Sequence, residues 1–217
     1  MAVERRENGI MPSSNLNDSN MADIADGTEP AGANHPQLPI FLVGMPGAGK
    51  TTIGKALARH LQRPFLDLDH ELERRCGVRI PTIFDLEGEA GFRRRETCAL
   101  EECTRQPGIV LATGGGAVLA AENRRLLRER GMVVYLKARA IDLYHRTRHD
   151  RNRPLLQNPD PLGTLSRLLE QREPFYEEIA DLTIETGRHP VQHVVRRVLP
   201  LLQTYSREHD LLCKKLP

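Results

Sequence analysis

Gly44-Met-Pro-Gly-Ala-Gly-Lys50-Thr51 is the stretch of this 217-residue sequence that decides the fold. It matches the pattern G-x-x-x-x-G-K-[ST], and it lies between an apolar run at 39–43 and a helix-compatible stretch at 50–62. In that context the glycines allow backbone N–H groups to surround phosphate oxygens at the positive end of a helix. We expect Lys50 to reach the outer phosphates and the Thr51 hydroxyl to bind Mg²⁺. The sequence therefore predicts a nucleoside triphosphate site here.

Short apolar runs alternate with longer amphipathic stretches on the carboxyl side of this loop. This alternation predicts a parallel sheet with helices on both faces, and ligands at the carboxyl ends of its strands. We predict strands at 39–43, 65–68, 108–112, 132–136 and 182–185. We predict helices at 50–62, 70–75, 82–86, 91–105, 121–130, 141–148, 164–179 and 191–205.

Composition divides the chain into three parts. Residues 1–37 are rich in Ser, Asn, Asp, Gly and Pro, so they bury too little apolar surface to offset the entropy of ordering, and we predict a disordered N-terminal extension. The folded domain is predicted at 38–205, followed by a C-terminal tail at 206–217. Within the domain, the Pro- and Asn-rich stretch at 150–163 is predicted to be an irregular lid.

Charge and cysteine content exclude several classes of protein. The formal net charge is +2, which gives no field that would favour a nucleic acid or a membrane as partner. None of the four cysteines forms a Cys-x-x-Cys pair, no apolar run approaches membrane-spanning length, and the acidic start is unlike a signal peptide. We therefore expect a cytoplasmic protein. We also expect it to be a monomer.

Two aspartates follow the second predicted strand. Alternation along Phe65-Leu-Asp-Leu-Asp69 would place Asp67 and Asp69 on one face, at the sheet edge where the phosphate loop lies. A carboxylate there could hold Mg²⁺ or accept a proton from a hydroxyl. Capping of the following helix by Asp69 is the alternative. The phosphate loop one element upstream favours the functional interpretation.

Basic and glycine-rich segments add candidates that are ambiguous in isolation. Arg93 and Arg172 could each be an exposed helix residue, and Gly114-Gly-Gly116 could be a flexible turn or a place where the backbone approaches a ligand closely. Arg153 lies in the predicted lid, from which an arginine could stabilise a transferring phosphoryl group.

Together these segments, from about Ile40 to Leu202, resemble the shikimate kinase family. The phosphate loop is shared by many kinases, whereas the other segments in this order are more specific. The segments that match in register are Gly-Met-Pro-Gly-Ala-Gly-Lys-Thr at 44–51, Leu-Asp-Leu-Asp at 66–69, Ile-Phe-Asp-x-x-Gly-Glu-x-x-Phe-Arg at 83–93, Gly-Gly-Gly-Ala at 114–117, Arg-Pro-Leu-Leu at 153–156 and Arg-x-Pro-x-Tyr at 172–176.

The resemblance implies a role for each matching position. Shikimate would be bound by Asp69, Arg93, Gly115 and Arg172. ATP would be bound by Gly47, Ala48, Gly49, Lys50, Thr51, Thr52, Arg146, Arg153 and Arg188. Mg²⁺ would be held by Thr51 and, through water, by Asp67. Catalysis would fall to Lys50, Asp69 and Arg153, with Glu96 bracing Arg93.

The resemblance also implies an α/β three-layer sandwich of the P-loop NTPase type, with a five-stranded parallel sheet, a lid and substrate-binding helical segments. The product would be 3-phosphoshikimate, on the route to chorismate and the aromatic amino acids. One alternative is a P-loop kinase of another small hydroxy acid, such as gluconate. A second is a nucleotide-binding regulator without catalytic activity. A nucleic-acid-binding role lacks the basic stripe with interleaved aromatic residues that it would need.

Overall fold

The computed structural model describes residues 38–148 and 158–213, with side chains as far as Tyr205. The strands are β1 (Ile40–Val43), β2 (Phe65–Asp67), β3 (Val110–Ala112), β4 (Met132–Lys137) and β5 (Leu182–Glu185). The helices are α1 (Lys50–Leu61), α2 (Leu68–Cys76), α3 (Ile80–Cys103), α4 (Ala121–Arg130), α5 (Ala140–Thr147), α6 (Pro161–Ile179) and α7 (Val191–Cys213). The predicted extension at 1–37 and Arg153 lie outside the described residues.

All five strands form one parallel sheet in the order β2-β3-β1-β4-β5, which confirms the predicted fold class. The central strand β1 is apolar and buried along its whole length, because helices cover both faces of a parallel sheet. Its last residues pair with the ends of its neighbours, Leu42 with Ala112 and Val43 with Tyr135. The carboxyl ends of the strands therefore meet at a single edge.

The main core packs the sheet against helices on both sides, and a smaller apolar cluster lies apart from it. That second cluster joins α2 to the first half of α3 through Leu72, Ile83 and Phe92, and the rings of Phe84 and Phe92 are 4.6 Å apart. These two helices therefore have an apolar contact of their own beside the sheet.

The predicted helix boundaries were wrong at two places between Ile80 and Ile179. The helices predicted at 82–86 and 91–105 are joined in α3, which bends where Gly88 adopts φ 67° and ψ −177°. Helix α6 begins at Pro161, inside the stretch predicted to be irregular, because Asp160 caps it by accepting a hydrogen bond from the Gly163 N–H at 2.9 Å. An Asp-Pro pair is a favourable helix start, since proline at the first position loses no helical hydrogen bond.

The last helix is also longer than predicted. Helix α7 continues past Tyr205 to Cys213, where a tail had been expected. No glycine or proline follows Tyr205 before Pro217, so the sequence contains no residue there that would end the helix. Among the described residues, none of the helices combines the length and the apolar content needed to cross a membrane.

Candidate active site

The phosphate loop joins β1 to α1 in the conformation that its glycines permit. Gly44, Gly47 and Gly49 have positive φ values of 140°, 84° and 99°. Alanine would also lack room at Gly44, since its Cβ would lie 2.7 Å from the Leu136 carbonyl oxygen. The first turn of α1 contains no acidic residue and has no side-chain cap. These observations fit a loop whose N–H groups receive phosphate oxygens.

Lys50, the first residue of α1, lies over this loop. Its ammonium group donates to the carbonyl oxygens of Gly44 at 2.8 Å and Met45 at 3.0 Å. These contacts hold the positive charge of Lys50 beside the glycines of the loop.

Thr51 and Asp67 are brought together across the ends of α1 and β2. The Thr51 hydroxyl donates to Asp67 Oδ2 at 2.6 Å, and the Asp67 side chain is only 11% exposed. A hydroxyl and a carboxylate supply the oxygen ligands that Mg²⁺ prefers, so the donor set fits the predicted metal.

The reason given for the placement of Asp69 was wrong. Strand β2 ends at Asp67, and Asp69 lies in the first turn of α2, so strand alternation does not bring the two carboxylates together. Asp67, not Asp69, is the helix cap, since its Oδ1 accepts from the Asp69 N–H at 3.1 Å. Asp67 therefore contacts Thr51 through one oxygen and orients α2, with Asp69 on it, through the other.

A cavity of about 190 Å³ lies beside the start of α1 and the turn between β5 and α7. Of the predicted ATP-binding residues it is lined by Ala48, Gly49, Thr52 and Arg146. Arg146 crosses it, donating to Gly47 O at 3.1 Å and to Thr186 O at 3.3 Å. His189 also lines it and lies in the segment at 188–190, which the resemblance placed beside adenine. Four other lining residues were not predicted from the sequence: Ile53, Thr186, Val191 and Val194. Apolar walls with a few polar groups suit a nucleotide base.

Arg188 was predicted to bind ATP, but the structure does not bring it to this cavity. Gly47, Lys50 and Thr51 do not line it either, since they belong to the phosphate loop itself. Its side chain is 78% exposed and lies 3.6 Å from Asp142, lining a neighbouring cleft. Arg146 lines both spaces, so the two arginines flank the same turn from different sides.

A partly buried ion pair on α3 forms the side of the site away from the nucleotide cavity. Arg93 donates to Glu96 Oε2 at 2.6 Å and to Glu89 Oε1 at 3.2 Å. The Glu96 side chain is 1% exposed, and burial raises the pKa of its carboxyl group, while Arg93 opposes that shift through its charge and hydrogen bond. Glu96 therefore holds Arg93 in place, as the resemblance implied.

The three glycines at 114–116, which we call the glycine turn, are required by neighbouring side chains. None of them has a positive φ. A Cβ on Gly114 would lie 2.5 Å from Glu96 Oε1 and 3.0 Å from Asp69 Oδ1, so both carboxylates face this residue. A Cβ on Gly115 would overlap Pro46 of the phosphate loop, and one on Gly116 would overlap the Arg93 guanidinium. These close approaches favour the alternative in which glycine is needed for packing.

Arg172 reaches the same turn from α6. It is 5% exposed, and its Nη1 donates to Gly115 O at 3.2 Å, so the alternative of an exposed helix residue is wrong. The structure thus gathers Asp69, Arg93, Gly115 and Arg172 around one turn that touches the phosphate loop. Tyr176, which the sequence analysis missed as a site residue, donates to the same carbonyl oxygen.

Comparisons with known proteins agree with this geometry. The family model for shikimate kinase matches residues 46–203. A shikimate kinase of Bordetella avium is 65% identical over 171 residues, covering 79% of this chain and 82% of that protein. One of Bordetella pertussis is 62% identical over 182 residues, covering 84% and 86%. The solved structure of a shikimate kinase from Acinetobacter baumannii in complex with shikimate aligns with a TM-score of 0.74 and 47% identity, covering 83% of this chain and 96% of that one. The chain belongs to the shikimate kinase family.

Proposed function

We propose that this protein transfers the γ-phosphoryl group of ATP to the 3-hydroxyl of shikimate, giving 3-phosphoshikimate for the synthesis of chorismate and the aromatic amino acids. The observation that carries the proposal is the glycine turn. One of its faces lies against Pro46 of the phosphate loop, and the other lies against Asp69, Glu96 and Arg93. An acid with a reactive hydroxyl can thus be held beside a nucleotide.

The acceptor side is assigned to Asp69, Arg93, Gly115 and Arg172. The two guanidinium groups hold the substrate carboxylate through charge-assisted hydrogen bonds. Each guanidinium is fixed by a protein acceptor, Arg93 by Glu96 and Arg172 by the Gly115 carbonyl, so little side-chain entropy is lost on binding. Asp69 orients the 3-hydroxyl and accepts its proton. Positioning of this kind is a large part of the catalysis of phosphoryl transfer.

The donor side is assigned to the phosphate loop and its neighbours. Lys50 neutralises charge on the outer phosphates, and Arg146 with Thr52 bounds the cavity for the base. Thr51 and Asp67 would hold Mg²⁺, Asp67 through water, and the metal would supply positive charge beside the phosphate oxygens. We assign Arg153 to the transferring phosphoryl group and Arg188 to the outer flank of the adenine site. We propose that the lid predicted at 150–163, of which the last residues belong to α6, excludes water.

A gluconate kinase is the rival that uses the same loop. The paired guanidinium groups of Arg93 and Arg172 at the glycine turn favour a compact ring acid over an extended one. The intact Lys50 and Thr51–Asp67 contacts favour an active kinase over a regulator without catalysis. We further propose a monomeric cytoplasmic enzyme, with a folded domain that begins at residue 38 and includes α7, that binds neither nucleic acid nor membranes.

A coupled assay for ADP tests the function. With ATP and Mg²⁺, ADP release should require shikimate and should not occur with gluconate. ADP release with gluconate but not shikimate would refute the substrate assignment, and release with neither would refute the proposal of a kinase. If both acids are phosphorylated, competition between shikimate and gluconate at equal concentration shows which one the enzyme prefers.

A further inference from the structure

One hydroxyl group outside the assigned site is hydrogen-bonded to it. Tyr176 on α6 is fully buried, with 0% of its surface exposed, and its Oη donates to the carbonyl oxygen of Gly115 at 2.5 Å. Arg172 Nη1 donates to the same oxygen at 3.2 Å. A carbonyl oxygen has two lone pairs, so these two donors satisfy it.

The two donors lie one helical turn apart, at i and i+4, so they face the glycine turn from the same side of α6. Gly115 has no side chain with which to fix its own peptide plane, and Pro46 closes in on its Cα. The bonds from α6 are therefore what sets the orientation of the Gly115 carbonyl.

The ring of Tyr176 is held independently of its hydroxyl group. It stacks on Tyr135 of β4, with ring centroids 5.0 Å apart and an interplanar angle of 22°. The Tyr135 hydroxyl donates elsewhere, to Glu173 Oε1 at 3.4 Å. Removing the Tyr176 hydroxyl should thus leave the ring in place. It should delete the bond to Gly115 and a weaker contact to Met45 Sδ at 3.8 Å.

We propose that Tyr176 is a positioning residue for the acid-binding half of the site: its hydroxyl fixes the glycine turn, and with it the mutual placement of Gly115 and Arg172. This inference rests on the proposed function, since it assigns these two residues to shikimate. Tyr176 is too deeply buried to touch the substrate, so its effect passes through the turn. Tyr176 also touches the phosphate loop, but only through the weak sulfur acceptor of Met45. The shorter contacts of Lys50 to the Gly44 and Met45 carbonyl oxygens remain without it, so ATP binding should be largely independent of Tyr176.

Tyr176→Phe and the matched control Tyr135→Phe test the proposal, because each removes one hydroxyl from the same stacked pair. We expect Tyr176→Phe to raise the KM for shikimate about five- to tenfold, the effect of losing one buried hydrogen bond. The KM for ATP and the kcat should stay within about twofold. Tyr135→Phe should leave all three within about twofold, because its hydroxyl does not contact the glycine turn.

A second measurement does not depend on turnover. In protein labelled with ¹⁵N-glycine, the Gly116 amide belongs to the peptide whose carbonyl oxygen accepts from Tyr176, so its resonance should move in Tyr176→Phe and not in Tyr135→Phe. An unmoved Gly116 resonance would overturn the inference. An unchanged KM for shikimate, or equal rises in KM for both substrates, would do so as well. A wild-type protein that releases no ADP with shikimate would instead overturn the proposed function itself.

Discussion

Replacing Gly114 by alanine tests the crowding around the acid-binding side most directly. The backbone at Gly114 is outside the left-handed region, so alanine causes no conformational strain there. Its Cβ would lie 2.5 Å from Glu96 Oε1, whereas ordinary contact begins at 3.4 Å, so that carboxylate would have to move by about 0.9 Å. It cannot move freely, because it is buried and bound to Arg93 at 2.6 Å.

The expected size of the effect follows from these contacts. Forcing a methyl group into a packed site costs about 1–3 kcal/mol of unfolding free energy. Weakening the hydrogen bond between two charged groups costs about 1.5–3 kcal/mol. The weakened bond between Glu96 and Arg93 should misplace the guanidinium that binds the substrate. Because 1.4 kcal/mol corresponds to a factor of ten, kcat/KM for shikimate should then fall about ten- to a hundredfold.

Urea denaturation and steady-state kinetics measure the two effects separately, with Gly77→Ala as the control. Gly77 has φ 68° and no atom within 4 Å of the position of a Cβ, so alanine there brings backbone strain alone. We expect it to cost about 1–2 kcal/mol of stability without changing kcat/KM. A Gly114→Ala protein with wild-type kcat/KM would refute the reasoning, as would an equal catalytic loss in Gly77→Ala.

Three further outcomes are expected. Asp67→Asn keeps a cap for the Asp69 N–H but loses the negative charge beside Thr51. The Mg²⁺ concentration that gives half-maximal rate should therefore rise about ten- to a hundredfold. An unchanged Mg²⁺ titration would show that Asp67 does not bind the metal. Asp69→Asn should abolish turnover while calorimetry still detects ATP binding, and wild-type turnover would exclude its role with the hydroxyl. The hydrogen bond from Arg74 lowers the pKa of Glu71 to about 2, below its ordinary value of 4.5. The stabilisation from ionised Glu71 is therefore present above pH 4.5 and lost as the pH falls towards 2. The difference in unfolding free energy between wild type and Glu71→Gln should shrink over that range. A difference that stays constant with pH would contradict this assignment.

Local sequence patterns predicted the sheet, because each strand and the turn after it are formed by consecutive residues. The apolar run before Gly44 and the glycines after it were enough to place β1, the loop and α1 in order. Helix ends were harder to place where the signal was a single residue. The cap by Asp160 and the bend at Gly88 each depend on the backbone conformation of one residue, and the types of the neighbouring residues do not determine that conformation.

The site was predicted unevenly, because its contacts join residues that are far apart in the chain. The burial of Arg172 could not be read from its helix, since it depends on a carbonyl oxygen 57 residues earlier. The need for glycine at 114 and 116 comes from Glu96 and Arg93, which lie about 20 residues earlier on α3. Tyr176 did leave a signal, since it stands four residues after Arg172 and therefore shares its helix face.

The contacts between Gly115 and helix α6 join distant parts of the chain, and this affects how substrate concentration changes the stability of the protein. The carbonyl of Gly115 takes its donors from residues 172 and 176, so a growing chain cannot complete this pocket until nearly all of the sheet has been synthesised. Ligands that require the finished pocket bind the native state alone. At a concentration of one hundred times Kd, a ligand adds about 2.7 kcal/mol to stability. Abundant substrate would then slow degradation of the enzyme that consumes it.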